Sequence, residues 1–308
     1  MIKILISDKY AQEGIDKLSA HEGFQVDVKT GMTPEELQGT ISDYDALLVR
    51  SATKPDSKIL DAAENLKIIV RAGEGTDNID KAHASKKDIV VENTPGQNSH
   101  AVAELTIGLM FSLARHIPRA CATMNQGKWE KKQLKGTELK GKIFGLIGAG
   151  KIGKDVGNTA AALGMKVICY EKFQDVDFKQ VEMDELLIKS DYVSVHVPLT
   201  KETENMIGKA ELAKMKPTAY IINCARGGII NEEELADAVS AGRLAGAGVD
   251  VYCTEPPPAD APLLNTENII CTPHLGASTM EAQVNCALSA ANQVIEYFDN
   301  GAVINRVN

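Results

Sequence analysis

Three polar residues toward the end of the chain have types suited to moving a proton and holding an acid. His274 stands in Cys271-Thr-Pro-His-Leu-Gly-Ala-Ser-Thr279, between a proline that ends an apolar run and residues able to open a helix. Arg226 follows Tyr220-Ile-Ile-Asn223, with Gly227 and Gly228 leaving room for another molecule to approach. Glu255 follows the apolar run that ends at Gly248-Val-Asp250 and precedes three prolines, which stiffen the chain. An imidazole titrates near neutral pH and can take the proton of a hydroxyl. A carboxylate on its other ring nitrogen fixes the tautomer and stabilises imidazolium, and a guanidinium can fork onto a carboxylate and polarise the adjoining carbonyl. The three together suit hydride removal from a 2-hydroxy acid. His196, in Val193-Ser-Val-His-Val-Pro198, also ends a strand-like run beside a proline, so two imidazoles compete for the role of base. The histidines at 21, 83, 100 and 116 lack ligand spacing, and no cluster of metal-ligating residues is expected.

Hydride chemistry needs an acceptor, and Gly148-Ala-Gly-Lys-Ile-Gly153 has the form of a dinucleotide turn. It follows the apolar run Ile143 to Ile147 and opens an alanine-rich helix: Gly148 permits the tight turn, Gly150 the approach of a pyrophosphate, and Gly153 close helix packing. Glu171, eighteen residues past Gly153, ends the next apolar run, where a carboxylate can accept from a ribose diol and repel a 2'-phosphate. NAD is therefore the expected cofactor, with Lys172 leaving NADP as the alternative.

The elements that must position these groups alternate. From Ile2 to about Pro95, five short β-branched runs (Ile2 to Ser7, Phe24 to Val28, Ala46 to Arg50, Ile68 to Arg71, Ile89 to Glu92) are separated by amphipathic stretches of helical length. That pattern predicts a parallel sheet covered on both faces. Thr33-Pro-Glu-Glu36 marks a helix start. Ser99 to about Asn125 reads as one long, largely apolar helix interrupted only at Pro118, and a helix apolar beyond one face implies burial in the domain or against a second copy of the chain. Six further strands (Ile143 to Ile147, Lys166 to Tyr170, Tyr192 to Val197, Ala219 to Asn223, Ala247 to Val251, Asn268 to Thr272) predict a doubly wound dinucleotide fold. The last helix, Ser278 to Asn300, then has to return to the first domain, which makes the second an insertion: 1–98 plus 280–308 around 99–279.

With 308 residues, the chain can bury two cores. A net charge of −9 argues against general affinity for nucleic acid or anionic membrane. The six cysteines, without a Cys-x-x-Cys pair, read as buried thiols in a reducing compartment, and the absence of signal or membrane-spanning runs gives a cytoplasmic expectation.

The motifs, in order, resemble the D-isomer-specific 2-hydroxyacid dehydrogenases over essentially the whole chain: VRSATK (49–54), RAGEGTDNID (71–80), NTPGQNSHAVAEL (93–105), GKWEKKQLKGTEL (127–139), GLIGAGKIG (145–153), NCARGG (223–228) and TPHLGAST (272–279). The resemblance implies a Rossmann cofactor domain inserted in a flavodoxin-like substrate domain, while the apolar helix around 99–125 gives the expectation of a homodimer. It implies that Arg226, Glu255 and His274 are catalytic and that His196 is structural. It also implies that Lys151 and Ile152 meet the pyrophosphate, that Val197, Pro198, Cys224 and Ala225 line the dinucleotide groove, that Asp250 holds the nicotinamide carboxamide, and that Gly276 and Ala277 border the ring. Arg50, Ser51, Arg71 and Gly73 match substrate-binding positions, and among family members the phosphorylated substrate 3-phosphoglycerate fits two arginines best. Glyoxylate, hydroxypyruvate or D-lactate reduction is the alternative, and an NAD-sensing corepressor is the alternative of another class. Glu74 and Lys131 depart from the pattern, where relatives carry a small or hydroxyl-bearing residue and an arginine.

Overall fold

The computed structural model describes residues 1–308, which form two compact units, Met1–Asn98 with Ala277–Asn308, and Ser99–Gly276. The second interrupts the first in sequence, and the return falls after Gly276, three residues before the expected 279.

The first unit opens with β1 (Ile2–Ile6), α1 (Gln12–Ser19), β2 (Phe24–Val28), α2 (Pro34–Thr40), β3 (Ala46–Val49), α3 (Ser57–Ala62), β4 (Ile68–Arg71), α4 (Lys81–Lys86) and β5 (Val90–Asn93). Its five strands are parallel in the order β2-β1-β3-β4-β5, the flavodoxin-like arrangement. All four residues of β3 are buried, as a strand covered on both faces requires. At α2 the Thr33 side chain accepts the Glu36 amide while the Glu36 carboxylate accepts the Thr33 amide, with Pro34 in the first turn.

In the second unit the expected single helix is two: α5 (Ser99–Ala114) and α6 (Ile117–Asn125), separated at Arg115-His116, where His116 is left-handed at φ 51°. Pro118 falls in the first turn of α6, where its missing N–H costs nothing, so it marks a start and not an interior kink. Most of the apolar surface of α5 is covered within its own unit, since it packs on α7 (Lys151–Ala162) and on the sheet, burying Val102, Ile107, Leu109, Met110 and Leu113 and leaving Phe111 exposed. β6 (Ile143–Ile147), β7 (Lys166–Tyr170), β8 (Lys179–Gln180), α8 (Met183–Lys189), β9 (Tyr192–Val195), α9 (Lys209–Leu212), β10 (Tyr220–Asn223), α10 (Glu232–Ser240), β11 (Gly246–Val249) and β12 (Ile269–Cys271) complete it. The sheet has seven parallel strands, one more than expected, in the order β12-β11-β10-β9-β6-β7-β8. The addition, β8, is a two-residue exposed edge strand too short to leave a periodic signal. Strand order reverses at β6, which opens the ligand crevice of a doubly wound sheet at the carboxyl ends of its strands.

The chain returns to the first unit with α11 (Met280–Asn300), capped by the Thr279 side chain on the Ala282 amide. Its small residues Ala282, Ala287, Ala290 and Ala291 allow close packing on α1 and β4. The tail then covers the edge of β5: fully buried Glu92 accepts the amides of Ile304 and Asn305 through Oε1 and bridges Arg306 antiparallel. Of the free cysteines, 169, 224 and 286 are buried as expected, whereas Cys121 and Cys253 are exposed because they lie on α6 and on the loop after β11.

Candidate active site

One register row crosses the second sheet: Tyr170, Ile147, Val195, Asn223, Val249 and Cys271 are paired in succession from β7 to β12. Nearly every candidate of this unit lies just beyond that row, on the carboxyl side: Glu171, Gly148, Val197 and Pro198, Cys224 to Arg226, Asp250 and Glu255, and His274. Parallel pairing thus collects at one edge residues that the sequence spreads over more than a hundred positions.

At the reversal point, Gly148 has φ +85°, and a Cβ there would stand 2.7 Å from the His196 carbonyl oxygen and the Val197 side chain. Gly150 caps the twelve-residue α7 without a side-chain bond and has open space on its Cβ side, so the Lys151 and Ile152 end of the helix fits a pyrophosphate. Glu171 accepts from Ala149 N (2.7 Å), Lys172 N and Phe173 N (2.9 Å each). Partial burial raises its pKa, but hydrogen bonds from Ala149, Phe173, Gln174 and Lys172 outweigh that and hold the carboxyl below its ordinary range. A polar recess of about 380 Å³ beside it is lined by Glu171, Lys172, Phe173, Gln174, Asp175 and Gln180. Phe173, which sequence reasoning passed over, is 94% exposed there and offers an apolar face for a flat ring. These groups fit a dinucleotide. The Cys224 thiol is buried against the Thr106 hydroxyl and its pKa is pushed up to about 12 by burial, so only its main chain can line a groove.

On the other side of the reversal, Asn223 accepts the Ala225 amide and donates to the Arg226 carbonyl, folding the turn that carries Arg226, whose Nη1 donates to the Ala225 carbonyl. His274 Nδ1 and Glu255 Oε2 are 2.7 Å apart, both side chains about two-fifths exposed. With the carboxylate ionised, Nδ1 carries the proton and Nε2 is left as the acceptor. His274 is held at φ +51°, in the left-handed region that residues other than glycine occupy uncommonly. Fully buried Asp250 secures that turn: Oδ1 accepts from the Thr272 hydroxyl and the Leu275 amide, and Oδ2 from the Gly276 amide. The carboxamide partner expected of Asp250 would share a carboxylate already engaged three times. Ala277, expected beside Gly276, is the first residue of the returning segment of the first unit.

His196 is mostly buried, its Nε2 2.8 Å from Ser194 Oγ, and burial lowers its pKa from 6.5 to about 4. A neutral, side-chain-bonded imidazole makes a poor base for a substrate, and His274 is the stronger candidate of the two. The unfolded chain takes up this proton near pH 6.5 and the folded one only near 4. Stability from His196 is therefore complete above about pH 6.5, falls as the pH drops toward 4, and the loss is on the order of 3 kcal/mol. Urea titrations should show that decline between pH 6.5 and 5, and His196→Gln should flatten it; an unaltered slope in the variant would count against this account.

In the first unit, Arg50, Ser51 and Arg71 lie at or just beyond the carboxyl ends of the neighbouring strands β3 and β4. The Glu74 carboxylate, a departure in sequence, accepts the Gly96 amide at 2.8 Å, so it is turned onto the main chain.

Residues 107–276 match the family described as D-isomer specific 2-hydroxyacid dehydrogenase, NAD binding domain. The whole chain is 44% identical to a D-3-phosphoglycerate dehydrogenase of Archaeoglobus fulgidus, of which it spans 59%. It is also 44% identical, over 96% of its length and 97% of the other's, to a hydroxypyruvate reductase of Thermotoga maritima. Among solved structures, NAD-bound 3-phosphoglycerate dehydrogenase of Entamoeba histolytica matches all of this chain and 98% of its own, with a TM-score of 0.85 at 34% identity.

Proposed function

The chain belongs to the D-isomer-specific 2-hydroxyacid dehydrogenase family, and from that membership we propose that it oxidises 3-phospho-D-glycerate to 3-phosphohydroxypyruvate with NAD, the entry to L-serine synthesis. The observation that carries the chemistry is the 2.7 Å Nδ1 to Oε2 contact of His274 and Glu255 at the same sheet edge as Arg226. In this reading Arg226 pairs with the substrate carboxylate and fixes the C2 carbon. His274 Nε2 takes the 2-hydroxyl proton as the carbonyl forms, and Glu255 stabilises the imidazolium. When bound, NAD supplies the acceptor for the C2 hydride, and Gly148, Gly150, Lys151, Ile152, Gly153 and Glu171 would hold its pyrophosphate and ribose.

Arg50, Ser51, Arg71 and Gly73 are assigned to the substrate's phosphorylated end, by the motifs they occupy and by the likeness to relatives named as phosphoglycerate dehydrogenases. Because the Thermotoga relative named as a hydroxypyruvate reductase is as similar, at 44% identity, as the Archaeoglobus one, hydroxypyruvate reduction is the second reading. Steady-state kinetics decide between them. We expect kcat/KM for phosphohydroxypyruvate to exceed that for hydroxypyruvate, glyoxylate and pyruvate by tenfold or more, as charged hydrogen bonds to a phosphate warrant. Equal values would overturn the phosphorylated substrate.

No helix is long and apolar enough to cross a membrane, and the free thiols suit a reducing, cytoplasmic setting. Homodimerisation is proposed on the exposed side chains of Phe111, Ile117, Met124 and Trp129, on and just after α5 and α6. A monomeric mass by light scattering would rule it out.

A further inference from the structure

We propose that Asn78 is a positioning residue that sets the plane of the Arg71 guanidinium against the loop carrying Arg50, and thereby tunes the first unit for a phosphorylated acid. The proposal rests on the assignment of those arginines to substrate. Asn78 uses its polar atoms on two segments at once. Its amide nitrogen donates to the carbonyls of Arg50 (2.9 Å) and Thr53 (2.7 Å), and its Oδ1 accepts Arg71 Nε–H at 3.0 Å. The two donated bonds would be enough to hold the loop. The third fixes the one N–H on the guanidinium stem, and with it the direction in which the Nη1 and Nη2 fork points.

The surroundings hold the same frame. Buried Asp8 takes the Arg50 amide on Oδ2 and the Thr53 amide and hydroxyl on Oδ1, so the loop is fastened from both sides. Arg50 Nη1 reaches the Lys9 carbonyl at 3.3 Å. Arg71 in turn lies over Gly73, whose φ is +157° and where a Cβ would stand 2.3 Å from Nη1, so glycine gives the guanidinium its room. A neutral amide is the suitable partner here, because an aspartate at 78 would place a negative charge on the guanidinium meant for an anion.

The test is a double-mutant cycle read with two acids that differ by the phosphate. Asn78→Ala should raise KM for phosphohydroxypyruvate by about tenfold or more, with kcat and KM for hydroxypyruvate little changed when both are read well below the variant's own melting temperature. In an Arg71→Ala background the same substitution should add less than about twofold, because it acts through that guanidinium. An equal rise in KM for both acids would mark Asn78 as a loop staple only, and a full effect without Arg71 would overturn the coupling. A parent enzyme indifferent to the phosphate would instead overturn the proposed substrate, and the frame's role in selectivity with it.

Discussion

His274→Ala is expected to lower kcat by roughly 10²- to 10⁴-fold, the usual contribution of a positioned acid-base group, while NAD binding stays near its parent value. The separation follows from where the residues lie. The pyrophosphate and ribose candidates, Gly148 to Gly153 and Glu171, surround β6 and β7, whereas the His274 side chain follows β12 and bonds Glu255. Glu255→Gln makes the finer test, since it keeps the size of the side chain and removes the charge that stabilises imidazolium, and its amide can hold the wrong tautomer. Its loss should fall in kcat in the oxidation direction, where imidazolium is formed. Titrating NADH fluorescence against each variant separates binding from turnover. A fully active His274→Ala would remove the proton-transfer role from this residue, whereas a parent chain that binds NADH and turns over none of these acids would favour a binding protein that only senses the cofactor.

Much of this site was legible because parallel strands convert sequence order into spatial order. The carboxyl end of each apolar run became a place on one row, so Gly148, Glu171, Arg226, Asp250 and His274 could be nominated before any pairing was known. What was illegible depends on bonds between distant segments or on very short elements. Asp8 meets Thr53 across 45 positions, Asn78 meets Arg50 across 28, and Glu92 meets Ile304 across 212, and none of these polar residues carries a local signal of its partner. The break after α5 was missed for a different reason. Apolar periodicity persists through Leu113-Ala114 and resumes at Ile117, while the break rests on the left-handed backbone of His116, a conformation that a single histidine in an apolar run does not announce. In sequence Asp250 reads only as a strand-end carboxylate, a ligand group, and its bonds to a turn more than twenty residues later do not show there.

Asp250→Asn is therefore expected to damage turnover and stability together. The parent carboxylate is 0% exposed and accepts three hydrogen bonds, from the Thr272 hydroxyl (2.5 Å), the Leu275 amide (2.8 Å) and the Gly276 amide (2.9 Å). Asparagine keeps one acceptor oxygen and sets an NH₂ against a main-chain N–H, leaving at least one buried donor unpaired at a cost of about 2–4 kcal/mol. Of the segment from Thr272 to Gly276, the residue most affected is His274, which already occupies a strained backbone conformation and must keep Nδ1 on Glu255. A shift of about 1 Å in a catalytic group can cost on the order of 10²-fold, so kcat should fall by about 10- to 100-fold at temperatures well below the melting point. Denaturant titration and kinetics on the same preparation discriminate among the possible roles of this carboxylate. Lower stability with native kcat would make Asp250 a fold residue alone. A raised KM for NAD with native kcat and stability would restore it to the nicotinamide carboxamide. Only the joint loss, with KM for NAD little changed, is what a clamp on the His274 turn requires.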